Sequence, residues 1–174
     1  MNERHIYKSA TTAPDAVRDV LAALFTQELL LGSEELFLVE PWISNIVIID
    51  NRDGTFDSLN PEWGKRQVRL AEILATLAAG GTMIQIVMRP DAHNKRFVAL
   101  MADALLDSGG GDRCKFHEIG ELHTKGILCS HIVLKGSMNL TENGVSFNDE
   151  YVSVSFDPKA IAEARIHFHS YLKS

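Results

Sequence analysis

Segments with helical periodicity alternate with short apolar runs in the first part of this chain, and this alternation limits the fold more than any other feature. Apolar residues recur at helical spacing in three segments, at 14–31, 61–79 and 93–106. Apolar runs of strand length lie between them, at 35–40 and 82–88. Helices that connect successive strands favour parallel pairing, so this part of the chain predicts parallel strands with crossover helices.

The last part of the chain carries strands with short connections, which predicts antiparallel pairing. Strand character is found in four segments, at 113–119, 126–129, 132–134 and 150–156. A closing helix is expected over 158–172, and residues 1–11 fit a polar arm or a short edge strand. We therefore predict an α/β fold in which a mixed β-sheet is flanked by helices on both faces, as an α/β/α sandwich.

Length and composition fit one soluble domain that spans residues 1–174. Apolar residues make up 45% of the chain and charged residues 23%, which is typical of a globular protein with a sizeable core. The net charge of −6 argues against a strongly basic nucleic-acid coat, whose affinity comes from neutralising phosphates. It is compatible with a nuclease, since a cleft on an acidic protein can be locally basic.

The sequence signals no cofactor, no metal and no membrane association. Cys114 and Cys129 form no CxxC pair, and no metal-ligand spacing is present. The N-terminal residues lack the apolar core of a signal peptide, and no apolar run approaches the length of a membrane span. These features predict a cytoplasmic protein whose two thiols are buried and reduced.

A cluster of phosphate-compatible side chains lies late in the chain, in the stretch HTKGILCSHIVLKGSMNLTENGVSFNDE that begins at His123. His123 and Lys125 would project to the same face if this segment is extended. Gly136 allows a tight turn or a close approach to a ligand, so that Ser137 and Asn139 can present a hydroxyl and an amide beside that pair. A nucleophile, a fixed cation and neutral hydrogen-bond donors on one face favour a site for a phosphoryl group.

This stretch resembles the signature of the phospholipase D superfamily, in which HxK is followed by an Asp and then by GSxN. The matching residues are His123, Lys125, Gly136, Ser137 and Asn139. The NLT, Gly and NxE that follow, ending at Glu150, resemble the tail of the single-motif bacterial nucleases of that superfamily. One position departs from the pattern, because the family Asp, usually a supporting residue, falls on Ser130. The resemblance implies the same α/β/α fold.

The resemblance also implies a role for each motif residue in a metal-independent phosphodiesterase. His123 is the candidate nucleophile, which attacks phosphorus to give a phosphohistidine. Glu150 is the candidate for holding the other ring nitrogen of His123. Lys125 and Asn139 would bind the non-bridging oxygens and stabilise the charge of the transition state. Ser137 would add a hydroxyl donor to the substrate or shape the turn.

Trp42 is a further candidate for substrate binding, because it follows the apolar run at 35–40. Ligands in α/β proteins gather at the carboxyl ends of strands, where Trp42 would line the cleft. The alternative is a hydrophobic plug at the edge of the sheet, since tryptophan often serves packing alone. The sequence leaves both interpretations open.

The presence of a single HxK motif bears on the oligomeric state of this protein. The leaving group of a phosphodiester must be protonated, which requires a second histidine in the same cleft. In the superfamily, that histidine comes from a second HxK motif in the same chain or in a partner, and this chain has one HxK motif. The resemblance therefore implies a homodimer in which the His123 side chains of two subunits meet across a two-fold axis, with the motif face as the interface.

Two functions follow from these observations. The first is a metal-independent phosphodiesterase, with a nuclease as the best match because of the NLT tail and the absence of membrane-binding features. The second is a catalytically weak or inactive component that binds nucleic acid or a protein partner, within a bacterial DNA-modification or defence complex. In that case Ser130 would mark the loss of activity.

Overall fold

A seven-stranded mixed sheet lies at the centre of the fold in this computed structural model, which describes residues 2–9, 11–13 and 15–173. The strands of the chain are β1 (Glu3–Lys8), β2 (Glu35–Val39), β3 (Val47–Asp50), β4 (Gln67–Arg69), β5 (Met83–Met88), β6 (Cys114–Glu118), β7 (Gly126–Leu128), β8 (Val133–Gly136) and β9 (Glu150–Ser155). The order in the main sheet is β1-β9-β8-β7-β2-β5-β6, and β3 and β4 form a separate antiparallel ribbon.

The predicted change from parallel to antiparallel pairing is confirmed. β2 pairs in parallel with β5, and β5 pairs in parallel with β6. The remaining neighbours in the main sheet are antiparallel, including β7 against β2. The reason is the length of the connections, because the helices α2 (Leu70–Ala79) and α3 (Ala92–Ser108) lie between the parallel strands, whereas β7 and β8 are joined by a short turn.

Helices cover both faces of the sheet, as predicted. Along β2, Leu36 and Leu38 face a core that contains residues of α1 (Ala16–Leu31), α2 and α3. Phe37 and Val39 face the other way, into a second cluster with Phe168 of α4 (Pro158–Ser170). This strand is an almost continuous apolar run because both of its faces are buried.

The second helix begins later than its apolar pattern predicts. Asn60 caps only a 3-10 turn, Pro61–Trp63, in which the Asn60 side chain accepts a hydrogen bond from the Glu62 backbone N–H. Gly64, with a φ of 63°, ends that turn. The chain then becomes β4, because it pairs with β3, and α2 starts at Leu70. Tertiary pairing therefore overrides a helical start signal here.

At the N-terminus, the alternative of an edge strand is the one observed, since β1 pairs with β9 along its whole length. Pro14, the first residue of the predicted helical segment 14–31, falls outside the described residues. Asp15 is the N-cap of α1. None of the helices in the described part of the chain combines the length and the apolar character needed to cross a membrane.

Gly136 is required by close packing between two strands. A Cβ atom at this position would lie 2.0 Å from the carbonyl oxygen of Tyr151 in β9. Gly144 is similar, because a Cβ there would lie 2.3 Å from the carbonyl oxygen of Asn139. These two glycines of the motif region thus let one backbone segment approach another.

We expect Gly136→Ala to lower the free energy of unfolding by about 1–3 kcal/mol or more, because the new methyl group overlaps a backbone atom that cannot move alone. Urea unfolding followed by circular dichroism measures this loss. Gly120→Ala is the matched control, since a Cβ at Gly120 meets no atom within 4 Å. Equal midpoints for the two variants would contradict the packing argument.

Candidate active site

The residues of the motif converge on one edge of the main sheet. β2, β5 and β6 run in the same direction and end at this edge, while the antiparallel β7 begins there. The following or preceding loops therefore carry Trp42, Arg89 and His123 to the same place. β8 ends and β9 begins at this edge too, which adds the candidate residues Ser137 and Glu150. The sheet topology thus assembles a site from four separate connections.

The His123 side chain is exposed and lies against the guanidinium of Arg89. The Nη2 atom of Arg89 is 3.1 Å from Nδ1 and 3.3 Å from Nε2 of the His123 ring. A guanidinium can only donate, so the ring nitrogen that it contacts must accept. The Nε atom of Arg89 also donates to the carbonyl oxygen of Leu122 at 2.8 Å, which holds the backbone beside His123.

Trp42 reaches this pair from the loop after β2. The guanidinium carbon of Arg89 lies 4.7 Å from the centroid of the Trp42 ring, a cation–π contact. Trp42 itself is partly exposed. The structure therefore brings the predicted substrate-binding tryptophan to the predicted nucleophile through a residue that the motif does not contain.

The buried side chain of Asn94 holds the two loops that carry Trp42 and Arg89 together. Its amide nitrogen donates to the carbonyl oxygens of Pro41, at 2.8 Å, and of Arg89, at 2.9 Å. Its amide oxygen accepts from the backbone N–H of Ile43 at 2.9 Å. Asn94 is 1% exposed, so these hydrogen bonds are shielded from water and strongly favour one arrangement of the loops.

Lys125 is close to His123 but not through the extended segment that the spacing suggests. The segment 119–125 contains no strand, and β7 begins only at Gly126. The ammonium group of Lys125 instead folds back and donates to the backbone carbonyl oxygen of His123 at 3.1 Å. The cation is therefore placed beside the backbone of the candidate nucleophile.

Ser137, directly after β8, and Glu150, the first residue of β9, form a direct pair. The Ser137 hydroxyl donates to Glu150 Oε2 and accepts from the Tyr151 backbone N–H at 3.0 Å. The other carboxylate oxygen, Glu150 Oε1, accepts from the side chain of Asn148 at 3.4 Å. Among the described residues, Glu150 shares no hydrogen bond with His123. In the single chain the carboxylate thus orients the serine, and the imidazole lies with Arg89.

Asn139 lies in the same connection with its side-chain oxygen buried. That oxygen has no hydrogen-bond partner among the described residues. The backbone carbonyl of Asn139 accepts from the Thr141 N–H at 2.8 Å, which fixes the turn. Buried polar atoms are normally hydrogen-bonded, so the fold leaves this amide group for another partner.

Glu40 is a site residue that the sequence patterns do not reveal. It follows β2 and is 1% exposed, with Oε2 accepting from the Leu140 backbone N–H at 3.1 Å. Burial raises the pKa of the Glu40 carboxyl well above its ordinary value, the Leu140 hydrogen bond and Lys125 lower it, and Glu150 raises it. Burial is the largest of these effects, and it favours the neutral form of the carboxyl. The sequence feature that could have indicated this residue is a glutamate at the end of the otherwise apolar run 35–40.

Ser130 lies away from the site. It is in the turn after β7, at the opposite end of that strand from Lys125. Its backbone N–H donates to the Ser33 hydroxyl at 2.9 Å, and that hydroxyl donates to the buried Glu28. The one departure from the motif therefore lies at the far end of β7, where Ser130 contacts its neighbours through its backbone.

Comparisons with known proteins bear on the family and on the fold. A family model described as "Cardiolipin synthase, PLD-like domain" matches residues 46–172. Among solved structures, NucT from Helicobacter pylori is similar with a TM-score of 0.64 at 18% identity, covering 99% of this chain and 96% of that one.

Nuc from Salmonella typhimurium, a phospholipase D family member, is similar with a TM-score of 0.61 at 14% identity, covering 98% of this chain and 93% of that one. TrmBL2, an archaeal chromatin protein, gives a TM-score of 0.55 at 13% identity, and 54% of that chain is covered against 100% of this one. A comparison with the curated proteins finds no match. At these identities, the solved structures establish a shared fold.

We expect Glu40→Gln to become more stable than the wild type as the pH rises. The pKa of Glu40 in the folded chain lies above its ordinary value of 4.5, so the folded state keeps a proton that the unfolded chain releases above this pH. The contribution of the carboxyl is thus complete below pH 4.5 and is lost as the pH rises toward the folded pKa. Gln is neutral at every pH and still accepts from Leu140.

The measurement is urea unfolding of both proteins from about pH 5 to about pH 8, with the exposed Glu118→Gln as the control. The difference in free energy of unfolding between Glu40→Gln and the wild type should grow over this range. A constant difference would mean that Glu40 is ionised in the folded chain.

Proposed function

This chain belongs to the phospholipase D-like family, and we propose that it is a metal-independent phosphodiesterase, acting as a nuclease, with His123 as the nucleophile. The observation that carries the proposal is the convergence of His123, Lys125, Ser137, Asn139 and Glu150 at one edge of the sheet. Each of these positions matches the motif, and the sheet topology places them along one edge.

The proposed reaction has two displacements. A ring nitrogen of His123 attacks phosphorus, and the new N–P bond forms as the P–O bond to the leaving group breaks. A second histidine donates a proton to the leaving oxygen. Water then attacks phosphorus, the N–P bond breaks, and the second histidine takes a proton from the water. The two steps together hydrolyse the phosphodiester and restore both imidazoles.

The other motif residues serve charge and position in this scheme. Lys125 and the side-chain amide N–H groups of Asn139 bind the non-bridging oxygens in this scheme. Glu150 accepts a hydrogen bond from the Ser137 hydroxyl, so this pair fixes the turn after β8 beside the substrate. A further role of Glu150, holding a ring nitrogen, requires that a histidine reach it, either His123 after turning from Arg89 or the His123 of a second copy.

Nucleic acid is the proposed substrate. The chain is acidic as a whole, but the cleft collects the cations Arg89 and Lys125 beside an exposed histidine. Local basic groups attract a phosphate backbone even on a protein of opposite net charge. Trp42 adds an aromatic face at the same edge, which suits contact with a nucleotide.

The proposed enzyme is a homodimer, because one chain supplies one HxK motif. The two copies of His123 would meet at the motif face, one as nucleophile and the other as acid. His123 is exposed in the single chain, as this arrangement requires. A two-fold interface uses the same patch on both subunits, so each site would be completed by the other chain.

The alternative function is a binding component of a DNA-modification or defence complex, without turnover. The observation that favours it is the similarity of this fold to TrmBL2, whose structure is described as showing a novel mode of DNA binding. On that proposal, the same cleft holds a phosphate of the nucleic acid and Arg89 stays on the ring of His123.

His123→Ala is expected to lose cleavage of DNA or RNA by roughly 10³-fold or more, since no other group forms the covalent intermediate. The assay is turnover in excess chelator, which the wild type should withstand. His131→Ala is the matched control, because His131 is an exposed histidine in the turn after β7. Equal nucleic-acid binding by all three proteins with no cleavage by any would favour the binding component.

Mixing experiments test the dimer. If wild-type and His123→Ala chains exchange at equal amounts, random pairing leaves about one quarter of the dimers with two intact histidines. Activity per total chain should then fall to about one quarter of the wild-type value, against one half for independent monomers. Analytical ultracentrifugation gives the oligomeric state, and a strictly monomeric active enzyme would contradict the two-histidine scheme.

A further inference from the structure

Arg89 lies on the candidate nucleophile although 34 residues separate it from His123 and it is outside the motif. It directly follows β5, and β5 neighbours β2 in parallel, so the fold delivers Arg89 to the edge where Trp42 also emerges. Its Nη2 atom lies 3.1 and 3.3 Å from the two ring nitrogens of His123. This placement is the starting point for a specific role.

The guanidinium is held in place from several directions. Nε donates to the Leu122 carbonyl oxygen at 2.8 Å, and the Trp42 ring lies 4.7 Å below the guanidinium carbon. The backbone on both sides is held too, because the Arg89 N–H donates to the Pro41 carbonyl at 3.3 Å and the Arg89 carbonyl accepts from Asn94. A cation with so many supports needs little reorganisation to act on a ligand.

The charge of Arg89 has no carboxylate partner in the described part of the chain. The arginines in ion pairs there are Arg18, Arg52, Arg66 and Arg165. The Nη1 atom of Arg89 has no hydrogen-bond partner among the described residues either, so one edge of the fork is open. A planar guanidinium with an open edge matches two oxygens of a phosphate.

We propose that Arg89 is a second cation of the phosphate site, which binds non-bridging oxygens of the phosphodiester and in doing so releases the ring of His123 for attack. This inference rests on the proposed function, since it concerns the same cleft. In the free chain, Nη2 lies on the ring nitrogens. When a phosphate enters, its oxygens accept from Nη1 and Nη2, and the lone pair of His123 becomes free to form the N–P bond.

Arg89 transfers no proton in this step. The N–P bond forms, the P–O bond to the leaving group breaks, and Arg89 remains a cation throughout. Its contribution is electrostatic, because negative charge moves onto the leaving and equatorial oxygens as the bond breaks. Lys125 supplies one positive charge for this negative charge, and Arg89 adds a second. Nε keeps its hydrogen bond to the Leu122 carbonyl oxygen while Nη2 exchanges the His123 ring for a phosphate oxygen. The guanidinium therefore turns about Nε.

The competing interpretation is a latch, in which Arg89 only ties the His123 loop to Trp42. If Arg89 is only a latch, its removal should leave phosphate binding unchanged as long as the variant stays folded. A phosphate ligand makes binding and the turnover number depend on the guanidinium itself. Arg89→Lys also distinguishes the latch from the phosphate ligand, since Lys keeps the positive charge but cannot offer two parallel donors.

The experiment uses full-length Arg89→Ala and Arg89→Lys, with Arg96→Ala as the control because Arg96 is exposed on α3. Turnover of bis(p-nitrophenyl) phosphate is measured in excess chelator, and binding of inorganic phosphate is followed by NMR of the histidine ring protons. We expect both Arg89 variants to lose about 10²–10³-fold in kcat/KM, mainly in kcat, and to bind phosphate at least about tenfold more weakly.

Added ethylguanidinium should restore part of the activity of Arg89→Ala, and sodium chloride at equal ionic strength should not. Thermal unfolding checks the fold, and Arg89→Lys provides the answer if Arg89→Ala unfolds. Phosphate binding and kcat/KM within about twofold of Arg96→Ala in both variants would overturn the inference.

The two levels of proposal can fail separately. If the wild type binds phosphate without turnover and the Arg89 variants lose that binding, the enzymatic function fails while the role of Arg89 as a phosphate ligand stands. If the wild type turns over and the Arg89 variants match it, the function stands and the inference is wrong. A wild type that neither binds phosphate nor turns over overturns both.

Discussion

The register of β2 against its two neighbours is the constraint on which the site depends. Val39, the last residue of β2, pairs with Val87 of the parallel β5 and with Gly126 of the antiparallel β7. Backbone hydrogen bonds therefore align the end of one strand, the end of the second and the beginning of the third. A shift by one residue would turn every side chain of β2 to the opposite face, so the two apolar cores on either side enforce the register.

Buried polar groups outside the motif support the loops that this register brings together. Asn94 ties the loop after β2 to the loop after β5, and Glu40 anchors the backbone at Leu140. Such groups are costly to bury unless they are hydrogen-bonded or neutral. Asn94 meets this condition with three hydrogen bonds, and at Glu40 burial raises the pKa of the carboxyl, which favours its neutral form. These buried polar groups thus hold the loops of the site in one arrangement.

Local electrostatics differ from those of the whole chain. The net charge is −6, yet the groups nearest to His123 are the guanidinium of Arg89 and the ammonium of Lys125. Charges a few ångströms from a reacting atom act with far less screening than charges on the remote surface. The net charge therefore governs the long-range electrostatic field of this protein, whereas the local charge beside His123 is set by the arrangement of a few side chains.

The sequence by itself determined the fold class, the change from parallel to antiparallel pairing and the residues of the motif, because periodicity, connection length and spacing are local properties. Only the tertiary structure decided that Arg89, Trp42, Glu40 and Asn94 join His123, that Glu150 pairs with Ser137, that α2 begins at Leu70, and that Ser130 lies at the far end of β7. These facts depend on contacts between segments far apart in the chain. Such contacts are set by strand register and packing, which leave no periodic signal in any one segment.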